Sequence, residues 1–513
     1  MALLVNMDVP SLVSSWHRSL VTQASHPTFT ITAGILLATY FSARYFSSPW
    51  RRLPPGPAGY PIIGSALEIF DNKQSFIEKC RAYGEVVYVN LAGQPAVIFN
   101  TQRAAADLLD RRATTFSARP RAIVAHELLT NGLFMITEGY TDRWRRMRRA
   151  VNEGFRPMAA ARYHAMETQE AARLALSLAR DMNASTPVAR AGHYARYAAS
   201  LALAIIYDRP VRDTAEDEHM AATIQDLITH LESASAPGAH FVEFAKWKRD
   251  ALEGHARFTQ FLDGLVEDVK RRMVIGEARQ CLVRSFIEEN QRFELSDVET
   301  SWTAGTMYVA SVETEVATLE WITLVLATYP EVQRRAQAEL DAVIGHSRPP
   351  RVSDRAHLSY ITAVVREVMR WKPATPISVP HMSEEDEWYK GMFIPKGTIC
   401  MVNAAACNMD PQACNLFAPV SSMTDLQYQL YGADAADFNP DRYLDGKGQL
   451  QPSPPDTKDE GHVTYGFGRR ICAGRHVAND ALFAAISTIL WAFNLSTIGE
   501  FDLDRYVDKG ISK

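Results

Sequence analysis

Cysteine is scarce in this chain: Cys80, Cys281, Cys400, Cys407, Cys414 and Cys472 are all there is in 513 residues, and none forms a CxxC pair. That excludes a disulfide scaffold and a zinc site of standard spacing, and it fits a reducing, cytosol-facing compartment. Five of the six read as small buried thiols without chemistry of their own. A basic excess is also lacking, with 54 Lys and Arg against 59 Asp and Glu for a net charge of -5. Binding to a phosphate backbone is thereby excluded as a general function, and no nucleic-acid partner is expected. No repeat period or biased tract runs through the chain, and 47% hydrophobic with 22% charged residues is ordinary globular usage. Solenoid, collagen and disordered classes drop out.

The segment Thr28 to Phe46 contains no acidic residue and approaches the roughly 20 residues that span a bilayer. It predicts a single-pass membrane anchor, with residues 1-50 as tail and anchor and 51-513 as one catalytic domain. Arg44, Arg51 and Arg52 follow the segment and only Arg18 precedes it, which puts the body on the cytosolic side of the endoplasmic reticulum membrane. A cleaved signal peptide and a buried core helix are the competing readings of its Thr and Ser content. Leu53-Pro54-Pro55-Gly56-Pro57 then reads as a stiff spacer.

Beyond it, Val86 to Val89 and Ala96 to Phe99 predict a hairpin about Gly93, with further strand-like pieces at Ile377 to His381 and Phe393 to Met401. Helical periodicity dominates elsewhere, at 158-182, 241-272, 296-327, 331-344 and 476-493. The fold class is mostly α (α+β).

The sharpest local signal is Tyr465-Gly466-Phe467-Gly468-Arg469-Arg470-Ile471-Cys472-Ala473-Gly474, a glycine-rich loop leading into a helix. Glycines there permit tight turns and close approach to a flat group. Cys472, just before a helix start, has N–H groups and the positive end of the dipole to favour its thiolate, which suits a metal ligand. Arg470 can pair with a carboxylate of the same cofactor. By itself the loop also reads as a phosphate cradle with a buried cysteine.

The loop resembles the haem-binding loop of the cytochrome P-450 family, Phe-x-x-Gly-x-Arg-x-Cys-x-Gly, with Tyr465 in place of the leading Phe. Glu367-Val368-Met369-Arg370 resembles the family's Glu-x-x-Arg helix, and Phe438-Asn439-Pro440-Asp441-Arg442-Tyr443 resembles the segment whose Arg completes a Glu-Arg-Arg network. Trp144 and Arg148 are similar to its Trp-x-x-x-Arg helix, whose indole and guanidinium meet the haem propionates; His381 stands where a third propionate partner is placed. Glu313 and Thr314, within Ala310 to Glu315, look like the acid and hydroxyl of the oxygen-activating helix, with Ser311 for Gly and Glu315 for the second Thr. Structurally bland readings stand beside these: a solvated Glu/Arg pair, a packed Trp144 among solvated arginines, and a Thr bonded back to its helix beside two exposed glutamates.

The resemblance covers the chain from Leu53 onward, closest to microsomal fungal members. It implies a large helical body with small sheets at one side, preceded by the transmembrane helix, and a haem b whose iron is held by the Cys472 thiolate. It implies a monooxygenase that inserts one atom of dioxygen into a hydrophobic small molecule such as a secondary metabolite, steroid-like compound or xenobiotic. Electrons would come from an NADPH-cytochrome reductase carrying flavins, with Arg143, Arg145, Arg146 and Arg149 as a basic docking face. Phe116 to Phe134, Ala304 to Thr314 and Ala374 to Val379 would line the substrate site.

Two departures set an alternative beside this. Gln412 to Leu430 intervenes where related chains pass almost directly, as an untypical insertion or translated intron would, and the chain stops soon after Phe501-Asp502-Leu503-Asp504. A haem-binding remnant without turnover is the second expectation. A haem-thiolate isomerase or dehydratase needing no reductase is a third, disfavoured by Thr314.

Overall fold

The computed structural model describes residues 27-183, 190-209, 215-235, 246-410, 431 and 434-497. The expected insertion at 412-430 and the segment 501-504 therefore lie outside the described residues, as does Cys414.

The longer helices are Pro27–Ser47 (α1), Asp142–Phe155 (α2), His164–Asn183 (α3), Arg190–Tyr207 (α4), Ala215–Ser235 (α5), Lys246–Val274 (α6), Asp297–Thr328 (α7), Pro330–Val343 (α8), Ser359–Trp371 (α9) and Arg475–Ala492 (α10). They fall close to the periodic stretches, because apolar residues at helical spacing need one face buried. The stretch expected from 158 breaks into Pro157–Ala160, a 3-10 turn Ala161–Tyr163 and then α3. α7 starts where it should: Ser296 and Glu299 form a reciprocal capping box, each side chain satisfying the other's backbone N–H.

The chain divides into two compact units. The smaller consists of residues 1-54 and 387-395 and contains α1 and the hairpin Glu387–Tyr389 (β4) with Met392–Ile394 (β5). Trp50 meets Phe393 edge to face at 6.2 Å, and Arg51 lies over the Tyr45 and Phe46 rings. α1 covers the predicted anchor and leaves Ile31, Ile35, Leu36, Leu37, Tyr40, Phe41, Tyr45 and Phe46 exposed. The transmembrane expectation is corrected here: among the described residues no helix is long and apolar enough to cross a membrane. Thr32, Thr39, Ser42 and Arg44 interrupt the apolar run too often.

The larger unit carries the remaining elements. Its sheet is ordered β1-β2-β6-β3, with Val86–Leu91 (β1) antiparallel to Gln94–Phe99 (β2), β2 parallel to Ile399–Val402 (β6), and His381–Met382 (β3) antiparallel to β6. The run expected at Phe393 to Met401 is split, since Gly397 turns the chain at φ +79° between β5 and β6, and of the run Ile377 to His381 only His381 joins a ladder, with Ile377 in an isolated bridge to Asn403. Pro55-Gly56 is no free spacer. The Tyr88 N–H donates to the Pro55 carbonyl at 2.9 Å, and a Cβ on Gly56 would stand 1.9 Å from the Tyr88 oxygen.

One continuous core of aromatic and branched side chains runs through the long helices, with Trp302, Tyr197, Phe286 and Phe293 among the fully buried residues. Cys80, Cys281, Cys400 and Cys407 are buried and free, as read from the sequence.

Candidate functional site

The loop Tyr465 to Gly474 is held by its own backbone and by the chain preceding α2. Gly468 lies at φ +60° so close to Leu109 that a Cβ would stand 2.1 Å from that carbonyl oxygen; its N–H donates to Asp110 at 2.5 Å. The close approach predicted for these glycines is thus, at Gly468, an approach to backbone. The Cys472 N–H donates to the Tyr465 carbonyl at 2.8 Å, and α10 begins three residues later with Gly474 as N-cap. Burial pushes the Cys472 thiol up, against the opposing pull of the Gly474 N–H, Arg148 and Arg475. A metal cation deprotonates a coordinating thiol outright, so the donor set suits a cysteine poised for one.

Tyr465 departs from the family's Phe, and its extra oxygen is used. The hydroxyl donates to Asn479 Oδ1 at 2.8 Å, and Asn479 Nδ2 donates to Glu460 Oε2 at 2.7 Å. The loop is thereby tied to the first turns of α10.

Around the loop, three guanidiniums converge. Arg470 donates from Nε to the Ser117 carbonyl at 2.9 Å and from Nη2 to the Glu138 carbonyl at 2.8 Å, while its Nη1 is buried without a partner. Arg148 donates to the Ile471 carbonyl, and the Arg470 guanidinium lies 4.1 Å from the centre of the buried Trp144 ring. The third is Arg119, which sequence reasoning missed. It spends Nε on the Ile136 carbonyl at 3.0 Å and Nη1 on the carbonyls of Val379 and Pro380 at 2.9 and 2.6 Å. Burial, then the charges of Arg470 and Arg148, lower its pKa to about 9; burial lowers Arg148 and Arg470 to about 10.

His381 sits among them, buried, with Nδ1 donating to the Phe116 carbonyl at 2.8 Å. Burial and the neighbouring Arg119 and Arg470 hold its pKa down at about 3, so the ring is neutral. Cations this close, one with an orphaned buried N–H, fit a ligand bearing carboxylates.

On α7 the residues on either side are buried, but those from Val309 to Ala317 are half-buried or exposed, so this stretch lines open space. Glu313 and Thr314 are both exposed there. The Thr314 hydroxyl donates to its own helix, to the Ala310 carbonyl at 2.9 Å with Ser311 at 3.2 Å. Arg119 of the first apolar segment clasps Val379 of the third, and Met135, just past the first segment, donates its N–H to Thr306 Oγ1 on α7 at 3.4 Å.

Glu315 corrects the reading of two exposed glutamates. Its Oε1 is shielded and unpartnered, and burial raises its carboxyl to about 8. A folded state that binds this proton more tightly than the unfolded chain gains stability that is complete below about pH 4.5 and lost as pH rises through about 8. The thermal midpoint of the parent chain is therefore expected to fall by several degrees more between about pH 5 and pH 8 than that of Glu315→Gln. Parallel curves for the two proteins would refute the assignment.

The arginines of the expected docking face on α2 are partly paired, while Arg145 and Arg149 stay exposed. Arg143 pairs with Glu138 at 3.1 Å, Arg145 with Asp142 at 2.7 Å and Arg146 with Glu299 at 2.7 Å, while Arg149 reaches the Arg292 carbonyl at 3.5 Å. Acids brought in from other segments take up charge that the sequence left in solvent.

Behind the loop, Glu367 and Arg370 are fully buried. Glu367 accepts from Arg370 Nε at 2.7 Å and Nη2 at 2.8 Å, from the Asn439 N–H at 2.8 Å and from Arg442 Nε at 3.0 Å. Arg370 also donates to the carbonyls of Asn408, Ala435 and Asp437. The three residues act on structure: they staple α9 to the segment entering the loop.

The pattern of the cytochrome P450 family matches residues 54-415 and 420-509. The break at 416-419 falls inside the expected insertion, and the second part of the match runs on through Phe501 to Asp504. A cytochrome P450 monooxygenase of Armillaria gallica is 42% identical over 94% of this chain and 92% of its own length. Cytochrome P450 monooxygenase 58 of Postia placenta is 39% identical over 91% of this chain and 85% of its own, and a cytochrome P450 monooxygenase of Amanita muscaria is 34% identical over 87% and 85%. These likenesses lend no support to an inactive remnant.

Proposed function

Because the chain belongs to the cytochrome P450 family, whose members are haem-thiolate oxidoreductases, we propose that it is a monooxygenase with haem b held by Cys472, acting on a hydrophobic small molecule of fungal secondary metabolism. Its electrons come from an NADPH-dependent flavin reductase. The observation that carries this reading is the convergence of the Arg119, Arg148 and Arg470 guanidiniums with the neutral His381 beside the Cys472 loop, an arrangement that a ligand with acidic side groups relieves.

When bound, the haem supplies reductive activation of dioxygen, with its thiolate ligand favouring O–O cleavage. The protein does the rest. Arg470 Nη1 and Arg119 would hold the propionates, while Arg148 braces the Cys472 loop through Ile471 and Trp144 packs under Arg470. The Gly474 N–H and the start of α10 hold negative charge on Cys472 Sγ. Thr314 Oγ1, bonded to the Ala310 carbonyl, would turn from it to deliver a proton into the open space beside α7, with Glu313 as the adjoining acid that would restore it. The apolar walls at 116-134, 304-314 and 374-379 exclude water and hold the substrate. The body works at the cytosolic face of the endoplasmic reticulum membrane, where the exposed apolar side chains of α1 and the nearby Arg44, Arg51 and Arg52 suit an interface.

The purified chain, supplied with an NADPH-dependent flavin reductase, isotopically labelled dioxygen and a panel of apolar compounds, is expected to place one labelled oxygen atom in a product. Product formed without NADPH would instead assign an isomerase or dehydratase. Thr314→Ala is expected to cut product formation by about 10²-fold while NADPH consumption continues and hydrogen peroxide accumulates. An unchanged ratio of product to NADPH would remove Thr314 from proton delivery.

A further inference from the structure

α3 opens with His164 and carries Glu167 three residues on, so both side chains share one face of its first turn. That face meets Asp480, on the second turn of α10. One ligand atom from each of His164, Glu167 and Asp480 lies within 4.8 Å of the others. His164 Nε2 and Asp480 Oδ2 are 3.2 Å apart. The second carboxylate oxygen, Asp480 Oδ1, is already taken by Arg355 Nη1 at 2.7 Å, which leaves Oδ2 aimed at the cluster.

Glu167 is the unusual member. It is fully buried, yet neither of its carboxylate oxygens has a hydrogen-bond partner. A buried carboxylate left unbonded is costly, and two carboxylates facing one another add repulsion. Glu315 lies near enough on α7 to act on Glu167 as well, with Arg355 the opposing cation. The cluster is short of positive charge at the point where Glu167 aims.

We propose that His164, Glu167 and Asp480 bind one divalent transition-metal ion, for which Zn²⁺ suits one imidazole nitrogen and two carboxylate oxygens best. The two carboxylates neutralise the ion, and Arg355 acts as the outer group that orients Asp480. His164, about one-third exposed, provides the entry side. The ion fastens the first turn of α3 to α10, the helix that begins three residues after Cys472, and so braces the cofactor loop from outside the reaction space.

The tag-free, full-length protein, purified with its cofactor and stripped with a chelator, is titrated with ZnCl₂ by calorimetry. One saturable equivalent is expected, with a thermal midpoint, followed by the cofactor's absorption, that rises with Zn²⁺ concentration. Mg²⁺, which demands an oxygen octahedron, is expected to bind at least tenfold more weakly. His164→Gln and Glu167→Gln should each weaken Zn²⁺ binding tenfold or more. Absence of saturable binding by the parent protein, or affinity unchanged in both variants, overturns the site. Should Glu167→Gln fail to fold, His164→Gln, about one-third exposed, decides alone.

Discussion

Replacement of Cys472 by alanine is expected to abolish the red-shifted Soret band that the reduced, carbon monoxide-treated parent protein gives, and to lower turnover by about 10³-fold or more. The fold should survive. The Cys472 backbone N–H, which bonds the Tyr465 carbonyl, and the Gly468 contact with Asp110 do not depend on the sulfur, so circular dichroism and melting should change little beyond the lost cofactor. A red-shifted band that persists in Cys472→Ala would mean that another residue supplies the thiolate. Among the described residues the other cysteines are buried, with thiols pushed up by burial, to about 11 at both Cys80 and Cys281. None of them stands at the start of a long helix beside converging arginines.

Glu367→Ala is expected to be the most damaging substitution outside the reaction space. It strips the carboxylate from two guanidiniums, of which Arg370 is wholly buried and Arg442 nearly so. Removing one partner of such a network leaves uncompensated charge and costs about 3–5 kcal/mol, against a total stability of about 5–15 kcal/mol for a typical domain. Soluble, cofactor-loaded protein should fall steeply, and Glu367→Gln should recover little because the amide cannot balance both arginines. A chemical denaturation midpoint equal to that of the parent protein would show that the carbonyls of Asn408, Ala435 and Asp437 hold Arg370 without the acid.

Much of the site was legible in the chain because its signals are local. The spacing of Gly468, Arg470, Cys472 and Gly474 encodes a loop before a helix, and Glu367 with Arg370 are three apart on one helical face, so their pairing needs nothing beyond α9. Arg119 left no such trace. Its partners Ile136, Val379 and Pro380 come from two other segments, and only their convergence makes it a buried cation beside Arg470. Glu315 reads as an exposed helical acid until the side of α7 that it occupies is known. For α2 it was the pairing that the sequence could not give, since Glu138 and Glu299 reach Arg143 and Arg146 from outside that helix.

The sequence by itself determined the helical class, the family through its motifs, and the Glu367–Arg370 half of the staple, since these follow from composition or from residues a few positions apart; Arg442 joins that pair from 75 positions away. Only the tertiary structure decided which charges are buried, which arginines are spoken for, and that His164 and Glu167 face Asp480 from the far side of the chain. Burial and long-range electrostatics depend on which distant segments meet, and that is a property of packing, which no local spacing encodes.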